Sequence, residues 1–286
     1  MMSKKEKKSI FLSKMEAEFE KIADIEMITV SDNSQIKILK TKVNDAKKES
    51  FNLVVIPGFA SIVLGWDEFL MRAKDYFNVY YLETREKKSS ILAKKSKYTV
   101  DRISSDLGEL IDISKLDPEK TIFVGSSFGA IVLADALCKK KIDPFLTVLV
   151  GPPEKIDMPP IFRYLLFIVP AFIYRLFAPI GKFWIRKSKS ESPEQAAKYI
   201  RVIDEGDAKK WKQFCMRLAF DKYWDAYAGI ESRVLVIDES EDKMHRTKIT
   251  SRIANSIKNS EIVDLKTNEF THSAGLADFL YEKVNQ

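Results

Sequence analysis

Three side-chain types far apart in the chain could together perform acyl transfer: a serine, a histidine and an acid. Ser127 is the middle residue of Gly125-Ser126-Ser127-Phe128-Gly129. A serine hydroxyl is a weak nucleophile at neutral pH. It needs a base to take its proton, and the base needs a carboxylate to orient it. The chain has two histidines, His245 and His272. His272 follows the last strand-like run and precedes the closing helical pattern, so it is assigned as the base. His245 lies among charged residues and is read as a surface residue. The carboxylate is sought after the preceding strand pattern. Asp242 stands several residues past Ile237, with room to turn inward, and is favoured. Asp238, directly at the strand end, is the alternative.

The surroundings of Ser127 suit a nucleophile. Thr121-Ile-Phe-Val124 reads as a buried strand, and Ala130–Leu137 is rich in helix formers and runs into Lys139–Lys141. A strand-to-helix turn this tight needs glycine at 125 and 129 and leaves the Ser127 hydroxyl clear of the backbone. The N–H of Phe128, at the helix start, faces any oxygen bound there. An ordinary glycine turn is the competing reading. Phe51–Ile56 is a second strand-like run, ending in Pro57-Gly58-Phe59-Ala60. The N–H of Phe59 is assigned as the other oxyanion donor, with Ala60 as the alternative. Pro-Gly is also a common plain turn.

These loops need a sheet to align them. Strand patterns at Glu26–Val30, Gln35–Val43, Phe51–Ile56, Val79–Leu82, Thr121–Val124, Phe145–Val150, Arg233–Ile237 and Glu261–Leu265 mostly alternate with helical patterns. The helical ones are Trp66–Phe77, Tyr98–Ile113, Ala130–Leu137 and Gly275–Val284. Alternation of this kind implies an α/β fold with a mostly parallel central sheet and helices on both faces. Reactive residues then sit at the C-terminal strand ends.

Four segments are expected: a basic N-terminal helix over 1–24, a core in two parts over 25–151 and 229–286, and an inserted helical cap over 152–228. The cap opens with Gly151-Pro152-Pro153 and is dense in aromatics from Phe162 to Trp184. Its uninterrupted apolar piece, Tyr164–Tyr174, is too short to span a bilayer. Residues 192–227 read as two amphipathic helices, and the whole segment as a greasy lid over the active site. Plain core helices are the alternative.

With 286 residues, 45% hydrophobic and 31% charged, the chain has the balance of a soluble globular protein. The net charge is +6, but the lysines are scattered and no nucleic-acid motif is present, so no nucleic-acid partner is expected. Lys4–Lys8 with Ile10, Phe11, Met15, Phe19 and Ile22 reads as a surface helix packed on the core. A peripheral membrane contact through this helix or the cap is the sharper reading. Cys138 and Cys215 have no metal-ligand or redox spacing and read as buried filler. No signal-peptide pattern is evident, and the expected location is cytoplasmic. No cofactor or metal is expected.

At this point the chain resembles the α/β-hydrolase fold family over about residues 25–150 and 230–286. The likeness is carried by Pro57-Gly58-Phe59, Gly125-Ser126-Ser127-Phe128-Gly129, Val234–Asp242 and Thr271-His272-Ser273. Ser, Asp, His is the family's order along the chain. The resemblance implies a serine hydrolase acting on a small hydrophobic ester or thioester, with oxyanion N–H groups at Phe59 and Phe128. It extends to lipases, thioesterases, acyltransferases and ligand-binding members with little turnover. The chain departs from the family at Pro57-Gly58, where members often have His-Gly, and at Ala130, where they often have glycine. It departs again at Glu83–Ser90, which lacks both glycines of a common Asp-x-Arg-Gly-x-Gly-x-Ser pattern. No subfamily is assigned.

Overall fold

Leu53–Ile56, Ile122–Val124, Leu146–Val150 and Val234–Ile237 leave few polar positions, as strands covered on both faces require. Ile36, Ile38 and Leu39 alternate less regularly with Gln35 and Lys37, as in a half-buried strand near a sheet edge. The computed structural model describes residues 16–43, 50–156, 160–185, 193–218, 220–241 and 247–285.

Among these, all the strand-like runs join one sheet: β1 (Asp24–Thr29), β2 (Gln35–Thr41), β3 (Asn52–Ile56), β4 (Asn78–Glu83), β5 (Thr121–Ser126), β6 (Leu146–Val150), β7 (Val234–Asp238) and β8 (Ser260–Asp264). The strand order is β1-β2-β4-β3-β5-β6-β7-β8. β2 runs antiparallel to β1 and β4, and every pair from β4 to β8 is parallel.

Helices cover both faces. On one lie α1 (Glu18–Ile22), α2 (Asp67–Ala73) and, from the chain's end, α12 (Ala274–Val284), packed with Leu53, Val55, Val124 and Val148. On the other lie α3 (Val100–Ser114), α4 (Phe128–Cys138) and α10 (Thr247–Ser256), packed with Val54, Phe123, Leu149 and Val236. Facing side chains of successive strand residues thus feed two separate cores. In α1, Phe19 is fully buried and the amides of Glu18 and Phe19 donate to the Asp67 carboxylate at 3.0 and 2.8 Å. This end of the N-terminal segment is fastened to the core. Lys4–Lys8, Ile10, Phe11 and Met15 lie outside the described residues.

Between β6 and β7 come α5 (Pro160–Ile168), α6 (Ala171–Trp184), α7 (Pro193–Glu205), α8 (Ala208–Leu218) and the one-turn α9 (Trp224–Ala228). The two helices expected over 192–227 are therefore three. Asp207 starts α8 by accepting the amides of Lys209 and Lys210 at 3.0 and 3.1 Å. The apolar piece Tyr164–Tyr174 is two helices, because Pro170 is the N-cap of α6. The stretch before His272, expected as a loop, contains the short helix α11 (Asn268–Thr271), capped by Thr267, whose hydroxyl accepts from the Phe270 amide at 3.1 Å. Cys138 and Cys215 are free and half-buried, not fully enclosed.

Candidate active site

Ser127 occupies the turn between β5 and α4 with φ 49° and ψ −110°. A non-glycine residue held there stores about 1–3 kcal/mol of strain, so its surroundings must enforce it. They do so from three sides. The Ser127 amide donates to the carbonyl of Val150 at the end of β6, at 3.0 Å. A Cβ at Gly125 would stand 2.6 Å from Leu133 Cδ1 and 2.7 Å from the Gly129 carbonyl oxygen. A Cβ at Gly129 would overlap the Ile56 carbonyl of β3. Neither position has room for a side chain. The serine itself is half-buried.

The loop after β3 lies over this turn. A Cβ built on Gly58 would be 3.6 Å from Ser127 Cβ. The Gly58 carbonyl accepts from the Ser61 amide at 3.1 Å and from Lys87 Nζ at 3.2 Å. In a planar trans peptide, fixing that carbonyl fixes the N–H of Phe59 in the opposite sense. The Phe59 ring meets the buried Phe128 ring edge-on, with centroids 5.7 Å apart. The two assigned oxyanion residues are thus neighbours. Ala60, the alternative, has φ 59°.

His272 follows α11, and its ring lies 4.2 Å from that of the fully buried Trp66. The Trp66 indole N–H donates to Ser61 Oγ at 3.1 Å, three residues beyond Gly58. The imidazole therefore belongs to the same rim as the Gly58 loop. Its Nδ1 is 2.9 Å from the Asn268 carbonyl oxygen and 3.2 Å from Thr271 Oγ1.

A carboxylate stands behind this contact, and it is one that sequence reasoning missed. Glu239, directly after β7, is buried and accepts from the Thr271 hydroxyl and from Asn268 Nδ2, the latter at 3.1 Å. The signal was legible: Glu239 lies in the very loop where an acid was sought. Asp238 is also buried, and its Oδ1 has no hydrogen-bond partner among the described residues. Asp242 and His245 lie outside the described residues. In the sheet, Ser126, Val150 and Ile237 fall in one row of register, so Ser127 and the β7 loop open on the same edge, about 10 Å apart.

The loop after β4, which has no glycine, is rich in charge. Arg85 is fully buried and binds Asp106 through Nε and Nη2 at 2.6 and 2.8 Å, and Asp32 through Nη1 and Nη2 at 2.6 and 3.1 Å. Burial works against the charged guanidinium, but these carboxylates outweigh it and raise its pKa further. The anchored loop presents Lys87 to Gly58, with Glu86 3.1 Å away as its ion partner.

The insertion rests on these two loops. Lys87 and Gly206 form an antiparallel bridge, and Lys210 Nζ donates to the carbonyls of Lys87 and Ser90 at 2.6 and 2.5 Å. Trp211 packs on Phe59 at 6.1 Å. Within the insertion lies a cavity of about 490 Å3 lined by Leu166, Tyr174, Phe177, Trp211 and Cys215 among others. A second, of about 300 Å3, reaches Ala60 and Ser61 and shares Trp211 as a wall. Burial pushes the Cys215 thiol up to about 11.

No family model matches the chain, and no curated protein matches it either. Solved structures do. An esterase (EaEST) from Exiguobacterium antarcticum aligns with a TM-score of 0.71 at 14% identity, over 91% of this chain and 99% of its own. An alpha/beta hydrolase from Sphaerobacter thermophilus aligns with a TM-score of 0.68 at 18% identity, over 90% and 99%. A membrane phospholipase A, described as a bacterial virulence factor, aligns with a TM-score of 0.67 at 13% identity, over 97% and 88%. The chain has the α/β-hydrolase fold, with a helical insertion after β6.

Proposed function

We propose that the chain is a serine hydrolase that cleaves carboxylic esters or thioesters with an apolar acyl or alcohol portion. The observation behind this is the strained Ser127 turn, clamped between β3 and β6 and roofed by the Gly58 loop. Strain of this sort persists only where the surroundings over-determine it.

In the proposed reaction Ser127 Oγ attacks the ester carbonyl carbon while His272 Nε2 takes the hydroxyl proton. The N–H groups of Phe59 and Phe128 hold the oxyanion, each contributing about 3 kcal/mol in the transition state. Collapse expels the alcohol, which leaves with the proton from His272. Water, deprotonated by His272, then attacks the acyl-enzyme, and Ser127 Oγ leaves with that proton from His272, releasing the acid and restoring the free hydroxyl. Asp242 is proposed as the orienting acid. Glu239 is a positioning residue that acts on His272 through Thr271.

The apolar cavity behind Trp211 supports an acyl substrate, and the esterase and phospholipase among the structural neighbours act on that bond class. The test is hydrolysis of nitrophenyl esters of graded acyl length by the native chain and by Ser127→Ala. Turnover by the native chain that the substitution abolishes supports the reading. Equal rates from both, or tight ester binding with no turnover by either, refute it.

A further inference from the structure

The insertion turns an apolar face away from the protein. On α5, Tyr164, Phe167 and Ile168 are exposed, Ile168 at 76%. On α6, Phe172, Leu176, Ile180 and Phe183 are exposed, Leu176 at 70%. Spacings of three and four place each set along one side of its helix. The opposite sides are occupied: Leu166 is buried, both helices pack on α8, and Lys212 Nζ donates to the Val169 carbonyl at 2.7 Å. Contiguous exposed apolar surface of this kind marks an interaction site.

Charge indicates the occupant. From Met158 to Ser190, 33 residues, the chain has no Asp or Glu and six basic residues: Arg163, Arg175, Lys182, Arg186, Lys187 and Lys189. The net charge of the whole chain is +6, so this stretch accounts for all of it and the remainder is neutral. Lysines are scattered over the chain, but their balance against acids is not. Lys182 pairs with Asp204 on α7, and Arg175 is exposed on α6. A second copy docking on this face would set like charges against each other. An anionic lipid surface supplies the opposite charge together with an apolar layer beneath it. No helix among the described residues is long and apolar enough to cross a membrane. At 14 residues, α6 is about 21 Å long against a hydrocarbon core of about 30 Å.

We propose that the α5–α6 face of the insertion docks on anionic lipid bilayers, lying in the headgroup region with its apolar stripes in the acyl boundary. The large cavity of the insertion is walled by Leu166, Tyr174 and Phe177 of the same two helices, so docking brings that cavity to the lipid. The surface is separate from Ser127, and docking stands whether or not the chain turns over esters.

The test uses the full chain with Ser127→Ala, so that lipid is not consumed. Co-sedimentation is compared on phosphatidylcholine vesicles and on phosphatidylcholine mixed with phosphatidylglycerol. The expected result is binding at least about tenfold tighter to the anionic vesicles, weakening with salt. A Leu176→Ser, Ile180→Ser double variant should lose about tenfold more while keeping the parent's circular dichroism and melting temperature. No binding to either vesicle, or equal binding to both, overturns the proposal. So does a concentration-dependent dimer in sedimentation velocity that the double variant abolishes, since a second copy would then cover the face.

Discussion

His272 Nδ1 lies 2.9 Å from the backbone carbonyl of Asn268, an oxygen that can only accept. Donation to that oxygen puts the proton of the neutral ring on Nδ1 and leaves the lone pair on Nε2. That is the tautomer a base acting on Ser127 requires. Activity should accordingly be lost on the acid side as the ring protonates, and His272→Ala should lower kcat by about 10^6-fold. The pH–rate profile of the native chain checks the first, and steady-state kinetics of the variant checks the second.

The Thr271 hydroxyl stands between His272 and the buried Glu239. Glu239→Gln keeps the shape but removes the charge that holds the hydroxyl. It should lower kcat by about tenfold and move the acid limb of the pH–rate profile to lower pH, because the lost negative charge no longer favours the imidazolium, with KM unchanged. A stability loss without movement of the profile would make Glu239 purely structural.

The strain at Ser127 predicts a trade of stability against activity. Ser127→Gly removes the side chain that disfavours φ 49° and should raise stability by about 1 kcal/mol in urea unfolding while abolishing turnover. Gly129→Ala should instead destabilise by about 3 kcal/mol or more, because its Cβ overlaps the Ile56 carbonyl.

The Arg85 cluster predicts how stability responds to acid. Burial alone would push the Asp32 carboxyl up, but its hydrogen bonds from Arg85 hold it well below the usual carboxylate range. A depressed folded-state pKa adds stability that is present above the unfolded value near 4 and lost as pH falls below it. Arg85→Met removes the guanidinium that Asp106 and Asp32 share, leaving buried Asp106 only Arg102, and should cost about 3–5 kcal/mol at neutral pH. Urea unfolding from pH 3 to pH 7 should show the native advantage shrinking toward acid.

Much of this architecture was legible in the chain. Apolar runs such as Leu146–Val150 specify buried parallel strands because neither face can meet water, and the glycines around Ser127 specify a turn no other residue fits. What escaped was set by partners distant in sequence. Arg85 reads as one more cation in a charged stretch until folding brings Asp32 and Asp106 to it. Glu239 reads as a loop acid until α11 brings Thr271 and Asn268 against it. Ile249, Ile253 and Ala254 stand at helical spacing within α10 and mark a helix that the strand-and-helix pattern of the sequence analysis leaves out. Asp242, outside the described residues, is assigned from its place several residues past Ile237.

A nucleophilic Ser127 can be trapped covalently by an active-site phosphonylating reagent. The native chain should be treated with a fluorophosphonate and digested, and the adduct located by peptide mass spectrometry. A single adduct is expected on the peptide bearing Ser127, with the His272→Ala variant labelled far more slowly. An unlabelled Ser127, or an adduct on some other residue that forms just as fast without His272, would contradict it.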